Sequence, residues 1–290
     1  MKKIDIYLNN YFPKYNRTPM QPGEIKQASL KHIKRAIKSG EYTYILRGEA
    51  TLHPNLYEIL DALQGKNFIL TTAGYEPEKL IRYKGKIPYL VIGWDGFTND
   101  KLRNHEGLTR NVLRLLDHFG TKQDVTTRIQ YTISKMNLKW IKADAEIIIN
   151  FYALYPNLKK PYFVILQQTE IYNEEVFTWV GMGKETVSLL NHKGLLSEKN
   201  LAYMNAWLDK KTYICTSPQD EMVMAWDGTF RMCQSMRFGE VLASIEDDTL
   251  EAIIEGTEDE REECEQCAYR TQCWLSFSYK ENIWRMKNLT

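Results

Sequence analysis

The stretch YILRGEATLHPNLYEIL, residues 44–60, joins the end of an apolar strand to the start of an amphipathic helix through a polar loop. A strand is predicted over YTYIL (42–46), and a helix over NLYEILDAL (55–63), where apolar residues recur at helical spacing after Pro54 and Asn55. A strand followed by a helix of this length forms a β/α unit. Because strands joined by such crossovers pair in parallel, the stretch predicts a parallel sheet.

The same alternation continues on both sides of this stretch and gives six β/α units in about 180 residues. Right-handed crossovers could build either an open sheet or a partial barrel, and periodicity alone leaves both open. A longer helical stretch follows at about 184–208. The strands are predicted over residues 2–8, 42–46, 67–72, 88–94, 124–133 and 161–168, and the helices near residues 23–40, 55–63, 76–83, 109–119 and 140–154.

The chain changes character after this helical stretch. EMVMAWDGTFRMC (221–233) predicts a β-hairpin, because the dipeptide Asp227-Gly228 favours a tight hairpin turn. An acidic run, EDEREECEQC, then leads into a group of cysteines. We therefore predict two domains, a larger α/β domain over residues 1–208 and a small cysteine-rich domain over residues 209–290.

The charge balance and the apolar runs bear on which partners are expected. The 38 Lys and Arg residues nearly equal the 37 Asp and Glu residues, and the formal net charge is +1. Neither a nucleic acid nor an anionic membrane is indicated by that charge. No apolar run approaches the ~20 residues that span a bilayer, and the N-terminus has no apolar signal-peptide core. We therefore expect a cytoplasmic protein, in which clustered thiols stay reduced and more often bind metal than form disulfides.

All five cysteines fall in the predicted C-terminal domain, and the first 214 residues contain none. A C-x2-C pair can direct two thiolates at one metal ion or cluster, and the sequence has one such pair. Buried apolar cysteines would not be confined to one segment in this way. Structural zinc sites usually use two short pairs, so one [4Fe–4S] cluster is favoured and zinc is the alternative. The candidate ligands are Cys215, Cys233, Cys264, Cys267 and Cys273.

The cysteine spacing resembles the auxiliary-cluster domain of radical S-adenosylmethionine (radical SAM) enzymes, called SPASM or, when shortened, twitch. That pattern begins with Cys, nine to fifteen residues, Gly, four residues and Cys. Here twelve residues separate Cys215 from Gly228, and four more lead to Cys233. The next part of the pattern, C-x2-C-x5-C, matches the three cysteines from 264 to 273. No cysteine follows them, so the resemblance implies one auxiliary cluster, as in a twitch domain.

The resemblance extends into the larger domain and implies a partial (β/α)6 barrel of the TIM type. Arg47-Gly48-Glu49 is similar to the Gly-Gly-Glu stretch that meets the amino group of S-adenosylmethionine in that family. Asp95, with the glycine that follows it, resembles the Asp-Gly turn after the fourth strand. The resemblance therefore marks Arg47, Gly48, Glu49 and Asp95 as candidate cofactor-binding residues.

The chain departs from the family after the first strand. Family members carry Cys-x3-Cys-x2-Cys there, and these thiolates hold the cluster that cleaves S-adenosylmethionine. The corresponding positions here are Asn9, Pro13 and Asn16, which are poor ligands for such a cluster. Arg47 in place of Gly would also put a bulky cation where the amino end of the cofactor would lie. We therefore expect no catalytic cluster, and Arg47 argues against retained binding of S-adenosylmethionine.

These features predict a degenerate radical SAM relative that acts as a binding or partner subunit, with a protein or peptide as its partner. One alternative is an enzyme that uses Glu49 and Asp95 as acid–base groups for non-radical chemistry. Another is an atypical active radical SAM enzyme. The loop NNYFPKYNRTPMQPG (9–23), with Tyr11, Phe12 and Tyr15, is either an interaction surface or a plug for the barrel mouth.

Overall fold

The protein, seen here as a computed structural model, forms two compact units. One unit contains residues 3–90 and 221–253, and the other contains residues 91–208, each within the described part of the chain. The structure describes residues 3–10, 25–38, 42–134, 136–165, 184–208, 221–231, 241, 243–247, 249–250 and 252–253.

Strands and helices alternate along the chain as the sequence predicts. One-turn 3-10 helices also follow the second, fourth and fifth strands, at Ala50–Leu52, Gly96–Thr98 and Leu138–Trp140. The strands are β1 Lys3–Tyr7, β2 Thr43–Arg47, β3 Asn67–Thr72, β4 Tyr89–Gly93, β5 Thr126–Ile133, β6 Leu158–Ile165, β7 Glu221–Met224, β8 Thr229–Arg231 and β9 Ala243–Ser244. The helices are α1 Leu30–Lys38, α2 Leu56–Ala62, α3 Pro77–Arg82, α4 Asn99–Leu102, α5 Leu108–Phe119, α6 Ile141–Leu154, α7 Lys184–His192 and α8 Glu198–Leu208.

The first unit is built around β1. Its strands lie in the order β3-β2-β1-β7-β8-β9. β1 pairs in parallel with β2 and β7, and β2 pairs in parallel with β3. The central residues of β1 and β2 are buried in unbroken runs, as expected for parallel strands covered on both faces.

The predicted hairpin forms between β7 and β8, which pair antiparallel. Gly228 ends its turn with a φ of +84°, and the N–H of Gly228 donates to the carbonyl of Ala225 at 3.0 Å. The hairpin therefore extends the sheet beside the first strand of the chain. The proposed boundary between residues 208 and 209 falls next to residues 209–220, outside the described residues, and it stays a prediction.

The second unit contains β5, β6 and the last three residues of β4, and these strands lie in the order β4-β5-β6. β5 and β6 pair in parallel, with a register shift between Arg128 and Gln130. α5 and α6 bury apolar faces in this unit, and each fully buried Leu, Ile or Phe contributes roughly 1.5–3 kcal/mol. The buried residues of these two helices include Leu108, Val112, Leu115, Leu116, Phe119, Ile141, Ala145, Ile148 and Phe151.

Two predicted helices have different bounds in the structure. α1 begins at Leu30 rather than near residue 23, because the Ser29 hydroxyl accepts the N–H of His32 at 3.1 Å and caps the helix. The residues before Ser29 bond to the chain after β1, with the N–H of Ala28 donating to the carbonyl of Leu8 at 2.8 Å. The predicted stretch 184–208 is two helices, since Gly194 adopts a φ of +69° after α7 and ends it.

The α/β class with parallel strands is confirmed, and the architecture agrees with a partial TIM-like barrel. The described helices include none with the length and apolar character needed to cross a bilayer.

Candidate functional site

The candidate residues of the α/β domain follow the carboxyl ends of parallel strands, the edge where such folds bind ligands. Arg47 ends β2, and Gly48 and Glu49 follow it directly. Asp95 comes two residues after β4. The first three belong to one compact unit and Asp95 belongs to the other.

Glu49 is buried, and only 1% of the residue is exposed. Its Oε1 accepts hydrogen bonds from the hydroxyls of Thr51 and Thr72, both at 2.6 Å, and from the N–H of Thr51 at 3.3 Å. Its Oε2 accepts from the N–H of Ala73 at 2.6 Å. Four donors thus hold the carboxyl group, and it serves as the cap of the 3-10 helix at Ala50–Leu52.

Burial is the largest influence on this carboxyl group, and it raises the pKa of Glu49 above the ordinary 4.5. The hydrogen bonds from Thr51, Thr72 and the N–H of Ala73 act in the opposite direction and partly offset it. A general base must reach the proton that it removes. In this structure both oxygens of Glu49 are directed at protein donors, and the group is closed to solvent.

Asn9 holds the backbone on either side of the Glu49 side chain. Its Oδ1 accepts the N–H of Glu49 at 3.0 Å, and its Nδ2 donates to the carbonyl of Glu49 at 2.9 Å. Gly48 lies against this amide with a φ of +78°, and a Cβ there would stand 2.5 Å from Asn9 Oδ1. The position thus requires a residue without a side chain.

Arg47 and His53 also have structural partners in this unit. Arg47 is buried, and its Nε lies 3.3 Å from Oδ1 of Asp5, a fully buried residue of β1. His53 Nε2 lies 2.9 Å from the carbonyl of Ala28, and its Nδ1 accepts the N–H of Asn55 at 3.1 Å. The ring is thus a neutral imidazole with its proton on Nε2, and burial lowers the pKa of His53.

Asp95 is fully buried in the second unit and is paired with a cation. Its Oδ1 accepts the N–H of Thr132 at 2.9 Å, and its Oδ2 lies 2.9 Å from Nη2 of Arg103. Asn99 links the two partners, because its Oδ1 accepts from the N–H of Asp95 at 3.0 Å and from Nε of Arg103 at 2.9 Å. Arg103 and Asp95 are both almost inaccessible to solvent, so Asp95 is also engaged within the protein.

Asp144, on α6, is a buried residue that sequence reasoning missed. Its Oδ1 accepts the N–H of Phe97 at 3.0 Å, and its Oδ2 accepts the hydroxyl of Tyr131 at 2.6 Å. Burial raises the pKa of Asp144, the charge of Asp95 adds to this effect, and the two hydrogen bonds oppose it. Gly96 has a φ of +70° and packs against Asp144, so a Cβ at residue 96 would overlap the Asp144 carboxyl group. One signal was present, because Asp144 shares a helical face with the apolar Ile141, Ala145 and Ile148.

The cysteine site lies outside the described residues. Cys215, Cys233, Cys264, Cys267 and Cys273 all fall there, as do the loop aromatics Tyr11, Phe12 and Tyr15. Within the described ranges, no three His, Cys, Asp or Glu side chains converge as metal ligands.

No protein-family model and no curated protein matches the sequence, but solved structures share the fold. SuiB of Streptococcus suis, crystallised with S-adenosylmethionine bound, matches with a TM-score of 0.58 at 12% identity, over 93% of this chain and 71% of SuiB. A second SuiB crystal structure gives a TM-score of 0.57 with the same identity and coverage. TYW1 with a bound lysine–pyruvate adduct gives a TM-score of 0.40 at 16% identity, over 66% of this chain and 70% of TYW1.

The similarity to SuiB bears on the fold and, at this identity, on nothing finer. The chain therefore shares its fold with SuiB, which agrees with the partial barrel that the resemblance implies.

Proposed function

We propose that this chain is a radical SAM-like binding or partner subunit that does not cleave S-adenosylmethionine and that keeps one auxiliary metal site. The observation that carries the proposal is the role of Asn9. The resemblance aligns Asn9 with the first cysteine of the catalytic cluster, yet its side-chain amide is buried and bonded to both backbone polar groups of Glu49. A side chain that holds a neighbouring loop in this way replaces a metal ligand with a structural clamp.

The geometry of Glu49 supports the same conclusion for the cofactor. In the family that the motifs resemble, this loop meets the amino group of S-adenosylmethionine. Here both carboxyl oxygens of Glu49 accept hydrogen bonds from Thr51, Thr72 and Ala73, and the group is 1% exposed. The residues present therefore do not offer a free carboxylate to an amino group.

The alternative of acid–base catalysis by Glu49 and Asp95 receives no support from the geometry. Asp95 is bonded to Arg103 and to the N–H of Thr132, and Glu49 is bonded to four donors. Removing a proton from a substrate requires a carboxylate oxygen within reach of that substrate. Both groups would first have to give up buried hydrogen bonds.

The test is anaerobic reconstitution of the full chain with iron and sulfide, followed by incubation with dithionite and S-adenosylmethionine. We expect about four irons per chain, as one [4Fe–4S] cluster requires, and no 5′-deoxyadenosine above a no-protein sample. A variant with Cys264 and Cys267 both replaced by Ala is the matched control for the metal, and its iron content should fall to background. Release of 5′-deoxyadenosine by the wild-type chain would overturn the proposal. Stoichiometric zinc in the metal analysis would show that the cysteines form a structural zinc site instead of binding a cluster.

A further inference from the structure

Two aromatic side chains meet on the surface of the second unit. Phe97 is 63% exposed and Trp140 is 42% exposed, and their ring centroids lie 5.8 Å apart at an interplanar angle of 58°. Phe97 is in the one-turn helix after β4, and Trp140 is in the one-turn helix after β5. Both rings thus follow the carboxyl ends of neighbouring strands, which is the edge where α/β folds bind ligands. We call this pair, together with Lys139, the aromatic corner.

Buried groups fix the backbone that carries the exposed Phe97 ring. The N–H of Phe97 donates to Asp144, which is fully buried and also accepts the Tyr131 hydroxyl. Gly96 holds a φ of +70° beside the same carboxyl group. A ring that remains mostly in solvent contributes little to the core. The fold therefore uses a buried acid and a left-handed glycine to fix the backbone that carries a mostly exposed ring.

A lysine side chain lies beside the Trp140 ring at the aromatic corner. The ammonium of Lys139 lies 5.3 Å from the centroid of the Trp140 ring, within the range of a cation–π interaction. Lys142, two residues after Trp140 in α6, is also exposed. A cation beside exposed rings, as Lys139 is beside Trp140, favours a ligand that places a carboxylate next to an apolar group.

We propose that the aromatic corner binds a peptide segment in which an aromatic or proline side chain is flanked by Asp or Glu. This inference rests on the proposed function, because it names the partner class that a binding subunit would use. Aromatic rings held in place supply contact area at low entropic cost, and such residues dominate peptide and protein interfaces. The tilt between the rings forms a corner rather than a parallel-sided slot, and Lys139 occupies a face of Trp140, so a stacked nucleobase fits less well.

The test begins with random dodecapeptides displayed on phage and selected on the immobilised full chain. The selected peptides are then measured by fluorescence anisotropy against the wild type and a variant carrying Phe97→Ser and Trp140→Ser. We expect enrichment of acidic peptides with aromatic or proline residues, and binding about tenfold or more weaker in the double variant. Leu154→Ser is the matched control, since Leu154 is 64% exposed in the same unit, and it should leave binding unchanged.

Several outcomes would overturn the inference. No enrichment would do so, as would selected peptides that bind the double variant as well as the wild type. An oligouridylate that binds the wild type and not the double variant would identify a single-stranded nucleic acid as the ligand instead. The thermal midpoint of each variant is measured alongside, because exposed positions should leave it unchanged. Peptide binding is scored separately from 5′-deoxyadenosine release, so failure here is distinguishable from failure of the proposed function.

Discussion

The loops that follow β2 and β4 have the same backbone arrangement, but one buries the side chain that follows its glycine and the other exposes it. In each loop a glycine has a positive φ, +78° at Gly48 and +70° at Gly96. In each, the next N–H donates at 3.0 Å to a buried side-chain oxygen from a distant part of the chain, Asn9 in one loop and Asp144 in the other. The side chain that follows the glycine is the 1% exposed Glu49 in the first loop and the 63% exposed Phe97 in the second.

The difference lies in the chemistry of the clamp. The amide of Asn9 donates as well as accepts, so it holds both the N–H and the carbonyl of Glu49. A second carboxylate at residue 9 would stand beside Glu49 in a buried site, which is costly. Asp144 holds only the N–H of Phe97, and its other oxygen takes the Tyr131 hydroxyl. In the first unit this turn therefore encloses Glu49, which the resemblance marks as a candidate cofactor-binding residue. In the second unit the same turn leaves the Phe97 ring exposed.

The largest expected effect comes from filling the two glycine positions. Gly48→Ala and Gly96→Ala should each destabilise the protein by about 2–5 kcal/mol, from roughly 1–2 kcal/mol for the left-handed backbone and roughly 1–3 kcal/mol for overpacking. A Cβ would lie 2.5 Å from Asn9 Oδ1 in the first loop, and it would overlap the Asp144 carboxyl group in the second. Urea denaturation of each variant gives the change in the free energy of unfolding.

Each unit contains its own control for backbone strain. Gly65 in the first unit has a φ of +79°, and Gly194 in the second has a φ of +69°, and at both positions the space that a Cβ would occupy is open, with no neighbouring atom within 4 Å. Their replacement by Ala should show the backbone contribution alone, roughly 1–2 kcal/mol. Equal losses for Gly96→Ala and Gly194→Ala would show that Asp144 does not constrain the loop after β4.

Exchanging the clamp chemistry should have a smaller and asymmetric effect. Asn9→Asp removes the donor to the Glu49 carbonyl and adds a buried acid, and we expect a loss of about 1–3 kcal/mol in the free energy of unfolding. Asp144→Asn keeps an acceptor for the N–H of Phe97, and the Tyr131 hydroxyl can accept from the new amide, so we expect a change within about 1 kcal/mol. Thermal and urea denaturation of both variants measure the asymmetry, and similar losses would contradict the assigned roles.

The sequence predicted the strands, the helices and the loops between them, but not the contacts that enclose Glu49 and Asp95. The strand at 67–72 has the predicted bounds, and Glu49 and Asp95 lie after strands as predicted. Their enclosure depends on partners far away in the chain, 40 residues from Asn9 to Glu49 and 37 from Asp95 to Thr132. Local periodicity carries no information about such contacts. The prediction of a metal site at the five cysteines remains open, since they lie outside the described residues.

α1 shows the same limit for an element boundary. Apolar spacing extended the predicted helix back to residue 23, but the N–H of Asn10 donates to the carbonyl of Lys26 at 3.1 Å. The chain before Ser29 therefore pairs with the segment after β1, and the helix begins only after the Ser29 cap. A tertiary contact overrides the local propensity there.

The smallest effect is a pH dependence that separates carboxyl groups by the sign of their shift. Burial raises the pKa of Asp144 above the ordinary 3.8, so the folded chain holds this proton more tightly than the unfolded chain. The stabilising contribution of Asp144 is thus complete below about pH 4 and declines as the pH rises through the folded-state pKa. Asp144→Asn removes that decline, and its stability relative to the wild type should improve as the pH rises from about 4 to 8.

Asp100 is the control of opposite sign: burial would raise its pKa, but hydrogen bonds from Thr109 and Gly107 together lower it. Its contribution is lost as the pH falls, so the penalty of Asp100→Asn should grow with pH, and urea midpoints across this range measure both slopes. Parallel slopes for the two variants would show that the buried Asp144 stays ionised, and the clamp in the second loop would then be a charged one.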